Sequence, residues 1–290
     1  MKVNMRPCHQ VEIVTPKKVR LNGLWYGSYA PKRVIIFIHG YGGSVFSRAA
    51  LLEELAAQGT AVLSFSNRGY GLVSGVSTTD GKQKVAGSAH EIFEECVDDI
   101  DGAIRFAKQF HAPIYLLGHS TGCQKSVYWA AKRGSGVEGI ILLAPISDYE
   151  SARALEGKAK VQRALAYAKK LIRAGKKHEL LPKNIWGGYL LTDAQRFVSL
   201  YSGNSTEEMF TYWVPERKPG VFSRVRIPIC TVLAERDEFV GVPATNMASW
   251  FTKHTYTGEV SIVPKMGHFF KGAEKEVARI IRRFMKESRS

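Results

Sequence analysis

Five stretches of this chain are apolar almost without interruption: RVIIFIHG (33–40), TAVLSFS (60–66), PIYLLG (113–118), VEGIILLAP (137–145) and IPICTVLA (227–234). A strand with one wet face alternates apolar and polar residues. A continuous run of this length has no side to offer water and needs cover on both. Helical patterns lie between the runs. SRAALLEELAAQG and CQKSVYWAAKRG (123–134) each end on a glycine stop, and AHEIFEECVDDIDGAIRFAKQF reads as a further helix. Strands alternating with helices predict the α/β class, a mostly parallel sheet with helices on both faces. At the start, VEIVT (11–15) and KVRLNGLWYG (18–27) around Pro16 predict a hairpin. The Gly/Ser-rich stretch 67–88 predicts a loop. A helix near 243–253, the strand EVSIVP (259–264) and a basic terminal helix close the series.

One segment breaks the alternation. Residues 148–222 hold no buried-strand run but carry helical patterns and many aromatics: Trp186, Tyr189, Phe197, Tyr201, Phe210, Tyr212 and Trp213. They predict a helical cap, its aromatics serving mainly as core, inserted into a single domain formed by 1–147 and 223–290. Much of the net charge of +15 falls in 153–177. There Val161, Leu165, Ala168 and Leu171/Ile172 recur at helical spacing and leave the Lys and Arg residues on the opposite side. This predicts a solvated face. No zinc-finger spacing or aromatic RNA-binding signature accompanies the charge, so no specific nucleic-acid partner is expected.

No run of about 18 apolar residues predicts a membrane span. MKVNMRPCHQVEIVTPKK lacks the apolar core of a secretory signal. Cys8, Cys96, Cys123 and Cys230 lie far apart with no metal-type pairing, the pattern of reduced thiols. A cytoplasmic protein is expected, and oligomeric state has no sequence signature here.

Gly118-His119-Ser120-Thr121-Gly122 stands between a buried strand and a helix. The G-x-S-x-G pattern is short enough to recur by chance, so its surroundings decide. A serine on a sharp strand-to-helix turn sits at the top of a parallel sheet, and flanking glycines allow strand and helix to approach closely. Serine is a poor nucleophile at its own pKa and needs a base held by an acid. Both partners must follow in chain order, acid then histidine, each just beyond a strand. Asp237 follows TVLAER and His268 follows VSIVPKMG, with Glu235 and Glu238 as rivals of Asp237. A lone histidine is ordinarily a satisfied structural residue, but the position and order of His268 favour a base. His39-Gly40-Tyr41-Gly42-Gly43 supplies a flexible turn after the first buried strand. The backbone N–H groups of Tyr41 and Thr121 are the candidate oxyanion donors. His39 and His119 read as scaffold, and Cys123 as an apolar filler. No phosphate-binding G-x-G-x-x-G and no metal cluster is legible, so no cofactor and no metal are expected.

These residues resemble the α/β-hydrolase superfamily across nearly the whole chain. HGYGG is similar to its oxyanion turn, and NRGYG (67–71) to a loop in which an acid usually stands at the position of Asn67. GHSTG and MGH (266–268) resemble the nucleophile and base stations, and AERDEFV resembles the acid turn with Asp237 in the acid's place. More narrowly, GHSTGCQ, APISDYESA (144–152), LIRAGKKHELLP (171–182), DAQRFVSL (193–200) and RDEFVGVP (236–243) resemble the intracellular family that includes fungal siderophore (fusarinine-type) esterases. GKQKVAGSAHEIFEECVDDI (81–100) is instead more similar to prokaryotic serine hydrolases. The resemblance implies a carboxylesterase working through Ser120, His268 and Asp237 and an acyl-enzyme. The narrower likeness implies a hydroxamate-siderophore ester, whereas the aromatic-rich segment 148–222, lying over the strand ends, favours a small to medium ester with an aryl or short acyl group. An acyltransferase, a siderophore-specific esterase and a basic binding module on the same scaffold are the alternatives.

Overall fold

The computed structural model describes residues 7–186 and 190–288. β1 (His9–Val14) and β2 (Val19–Tyr26) form the opening antiparallel hairpin. β3 (Arg33–Ile38) is followed by α1 (Ala49–Leu55), β4 (Thr60–Phe65), and a second hairpin of β5 (Ser74–Thr78) and β6 (Gln83–Ala86). α2 (Cys96–Ala107), β7 (Ile114–His119), α3 (Thr121–Arg133) and β8 (Gly139–Leu143) come next. Three helices then interrupt the alternation: α4 (Asp148–Glu156), α5 (Lys158–Arg173) and α6 (Ala194–Tyr201). β9 (Ile229–Ala234), α7 (Ala244–His254), β10 (Gly258–Val263) and α8 (Glu274–Glu287) restore it.

The strands lie in the order β10-β9-β8-β7-β3-β4-β2-β5-β6, with β1 also on β2. Pairing is parallel from β10 through β4 and antiparallel beyond. Each apolar run became a strand of the parallel part because both of its faces are covered. In β3, Val34, Ile36 and Ile38 pack toward α2 and α3, while Ile35 and Phe37 pack toward α1 and α8. Strand alternation thus feeds two cores from one sequence run.

Two local expectations differ from the structure. The stretch 67–88 is not all loop, because it carries the β5–β6 hairpin. Its strands offer little apolar signal, with Val76 buried but Val85 73% exposed, since β6 is a sheet edge. Pairing of β5 with Val19 and Arg20 of β2 supplies what local propensity does not. The helix expected from residue 89 begins only at Cys96, after one 3₁₀ turn at Phe93–Glu95. Glu91, in the non-helical lead, is drawn into a buried ion pair with Lys125.

Within the excursion, Gly157 at φ 83 separates α4 from α5. α5 buries Val161, Ala164, Leu165, Ala168 and Leu171 and leaves its Lys and Arg residues largely in water. That face packs with Trp186, Phe197 and Tyr201 in a separate cluster, whereas Phe210 and Tyr212 join the main core beside Phe251. Tyr189 lies outside the described residues. Among the described residues no helix is long and apolar enough to cross a membrane.

Candidate active site

β7 ends at His119, and the next residue turns sharply. Ser120 has φ 56 and ψ −127, a backbone region that costs a residue with a side chain on the order of 1–3 kcal/mol. The turn is held by Ser120 N–H on the Leu143 carbonyl (3.1 Å) and Cys123 N–H on the Ser120 carbonyl (2.9 Å). The flanking glycines are required by space rather than by φ. A Cβ on Gly118 would lie 2.7 Å from the Cys123 nitrogen, and one on Gly122 would overlap the Ile38 carbonyl oxygen. A Cβ on Gly40 would stand 2.8 Å from that of Ser120, so the 39–43 turn is seated directly against the serine. Thr121 opens α3, where the first backbone N–H groups have no partner within the helix. Tyr41, Ser120 and Thr121 all line one cavity of about 280 Å³.

His268, in the turn after β10, reaches the same cavity. Its Nδ1 is 2.8 Å from Oδ2 of Asp237, in the turn after β9, and both side chains are almost wholly buried. Oδ1 of Asp237 accepts the Phe239 N–H (3.0 Å), which fixes the carboxylate plane. The two rival acids face elsewhere. Glu238 accepts the backbone N–H of His268 (2.8 Å), and Glu235 that of Lys265 (2.7 Å). All three acids therefore hold the 265–268 turn, but only Asp237 reaches the imidazole.

His39 and His119, the two histidines flanking the serine turn, are held by backbone groups. Asn67 N–H donates to His39 Nε2 (3.2 Å), so Nδ1 carries the proton and donates to the Gly40 carbonyl (2.9 Å). Burial, with help from the Lys125 charge, lowers its pKa to about 4. His119 Nε2 contacts the His268 carbonyl at 3.0 Å, and burial beside His268 holds its pKa far below the usual range. Cys123 is fully buried, its Sγ on the Gly118 and Leu143 carbonyls.

A buried ionic layer beneath this site was not legible in the sequence. Lys125, on the inner face of α3, pairs with Glu91 (2.5 Å), which also meets Arg196 (2.9 Å), and Arg196 continues to Glu207. The carboxylate facing Lys125 thus comes from position 91, while Asn67 contributes its amide oxygen (3.4 Å). Arg68 binds Asp98 and Asp99 and anchors the loop after β4. Asp148 lines the cavity and accepts from Gln124 Nε2 (2.7 Å), and burial together with Glu207 favours its protonated form. The one available sequence signal was a lysine on the apolar side of the α3 pattern.

The family described as "Protein of unknown function (DUF1749)" matches residues 28–285. Phospholipase YtpA of Bacillus subtilis is 31% identical over 116 residues, 40% of this chain and 41% of that protein. The chain therefore spans about two fifths of the length of this curated relative. Siderophore hydrolase EstB from Aspergillus fumigatus superposes with a TM-score of 0.74 at 15% identity, over 99% of this chain and 100% of that chain. Est1E from Butyrivibrio proteoclasticus, solved with ferulic acid bound, gives 0.64 at 19% identity, over 96% and 98%. At such identities the likeness shows the fold, which is that of the α/β-hydrolases.

Proposed function

Because the chain belongs to the DUF1749 family, whose function is unknown, its activity is read from the site, and we propose that it is a serine hydrolase of carboxylic esters. The observation that carries this reading is the Asp237–His268 pair, 2.8 Å apart and ending on the cavity that also holds the strained Ser120. With Nδ1 taken by Asp237, Nε2 is the nitrogen on the cavity side. In the proposed cycle, Nε2 takes the Ser120 proton as Oγ attacks the ester carbonyl, then returns it to the departing alcohol. Asp237 keeps the tautomer and stabilises the imidazolium. The N–H groups of Tyr41 and Thr121 receive the oxyanion. Water, deprotonated by the same histidine, releases the acid from the acyl-enzyme.

The cavity argues for the substrate class. Trp186, Phe239, Phe269 and Leu155 give it apolar walls, and its volume of about 280 Å³ fits a compact acyl or aryl group rather than a long lipid chain. The segment 148–222 contributes Leu155, Trp186 and Tyr201 to that wall and acts as the cap. The likeness to Est1E with its ferulic acid fits an aryl ester, and the likeness to EstB makes a siderophore ester a necessary comparison.

The test is kcat/KM over p-nitrophenyl esters from about two to sixteen carbons, with feruloyl and hydroxamate-siderophore esters alongside. Labelling of wild type and Ser120→Ala by a fluorophosphonate identifies the nucleophile. Activity is expected to peak at short or aryl acyl groups, with free acid as the product when water is the only acceptor. A maximum at twelve carbons or beyond overturns the substrate class. Labelling that persists in Ser120→Ala overturns the nucleophile.

A further inference from the structure

A second cluster of chemically capable side chains lies at the seam between cap and core. His90 precedes α2, His178 follows α5, and Asp193 caps α6. The Asp193 carboxylate is fully buried. Its Oδ1 accepts the Arg196 N–H (2.7 Å), which fixes its orientation. Its Oδ2 lies 3.1 Å from Nδ1 of His90 and 3.0 Å from Nδ1 of His178. Each of the three residues brings one ligand atom within 4.8 Å of the other two.

Backbone hydrogen bonds hold the three segments in this arrangement. Asp193 N–H donates to the Ala89 carbonyl (2.8 Å), beside His90. On the other side, Ala194 N–H meets the Glu179 carbonyl (3.0 Å) and Gln195 N–H the Lys177 carbonyl (3.0 Å), flanking His178. Donors thus converge on one point from three backbone segments already joined to one another. Neighbouring donors around a zinc ion, with bonds of about 2.0–2.1 Å, stand roughly 2.9–3.4 Å apart. The two Asp–His edges fall in that range, and the His–His edge is at most 4.8 Å, with His178, 53% exposed, the side chain that has room to adjust. The same exposure leaves water a route to a fourth position. Two imidazoles and one carboxylate suit zinc and its borderline neighbours, not magnesium or calcium.

We propose that His90, His178 and Asp193 form a three-ligand site for a zinc-type divalent cation that pins the cap to the core. The site is separate from the chemistry at Ser120 but is connected to the cavity wall. The segment leading into Asp193 carries Leu190, which lines the cavity, and Leu191, whose carbonyl accepts the Tyr41 hydroxyl. A bound ion therefore steadies one wall of the cavity from outside it. Sequence spacing gave no sign of this, because Asp193 stands 103 residues from His90 and 15 from His178.

The test uses the full chain, stripped with a chelator and titrated with Zn²⁺ by calorimetry and with Co²⁺ by visible absorption. One equivalent is expected to bind with Kd of about 1 μM or tighter, raising the Tm by a few degrees at about a hundredfold excess over Kd. His178→Ala, at an exposed side chain, is expected to keep the metal-free Tm and weaken binding at least about tenfold. His90→Ala/His178→Ala is expected to abolish the cobalt band. No saturable binding below about 100 μM would leave the trio a hydrogen-bonded seam and end the proposal. Stoichiometric binding that survives in the double variant would end it too, by locating the ion elsewhere.

Discussion

Gly122→Ala separates the geometry of the serine turn from the stability of the fold. The added methyl would overlap the Ile38 carbonyl oxygen and stand 2.9 Å from the Ile38 carbonyl carbon and 3.1 Å from the His39 oxygen. The oxygen overlap is the tightest of the three contacts, and a Cβ settles no nearer than about 3.0 Å to any of them, so the gap must open by about 1 Å or more. β3 cannot give way, because it is paired along its length with β4 on one side and β7 on the other. The N-terminus of α3 must move instead, carrying Ser120 and the Thr121 N–H away from His268 and the 39–43 turn. A displacement of that size at a reacting centre costs on the order of 10²-fold in rate. The overpacking costs about 1–3 kcal/mol, partly offset by the roughly 1 kcal/mol that alanine gains over glycine within a helix. A folded protein with about one per cent of wild-type kcat/KM is the expected result. Gly134, at the other end of α3, is the control: at φ 73 with open space around it, its alanine variant loses about 1–2 kcal/mol through backbone strain and keeps its activity. The assays are kcat/KM on p-nitrophenyl acetate, the rate of fluorophosphonate inactivation, and thermal unfolding of both variants. If Gly122→Ala retained a third or more of the activity, or if both variants lost activity in proportion to stability, the reasoning would be refuted.

Ser120→Ala should remove ester hydrolysis, a loss on the order of 10⁶ where a serine nucleophile has been deleted from a triad, without lowering the Tm. Residual turnover above a few per cent in the folded variant contradicts the assignment. Asp237→Asn should cost about 10⁴-fold through the wrong histidine tautomer, whereas Glu238→Gln, which still accepts the His268 N–H, should lose less than about tenfold. The reverse ranking would move the acid by one residue. Glu208 offers a pH test: burial raises its carboxyl pKa from 4.5 to about 7, against hydrogen bonds from Trp213 and Ser147 that lower it. Its protonated form is favoured by folding, so its contribution is complete below about pH 4.5 and is lost as pH rises to about 7. The amount is up to about 3 kcal/mol at 1.36 kcal/mol per unit. Glu208→Gln should flatten the pH dependence of Tm over that window, and an unchanged slope would exclude Glu208 as its source.

What the sequence determined by itself was everything carried by local pattern. Unbroken apolar runs identify strands buried on both faces because such a run has no other stable place. A serine between glycines at a strand–helix junction marks a tight turn, since crowding there excludes a Cβ from Gly118 and Gly122. The chain order of Ser120, Asp237 and His268 is likewise written in the sequence, and their placement at strand ends follows from the strand pattern. Tertiary structure decided what depends on partners far along the chain. Asp237 rather than Glu235 or Glu238 meets the imidazole because the turns after β9 and β10 dock in one particular way. The edge hairpin exists because β2 offers it a pairing surface, not because Gln83–Ala86 prefers to be a strand. Lys125, Glu91 and Arg196 could not be grouped from the sequence, nor His90, His178 and Asp193. Charged and imidazole side chains leave no periodic trace, and their energies depend on distances that only the folded backbone sets.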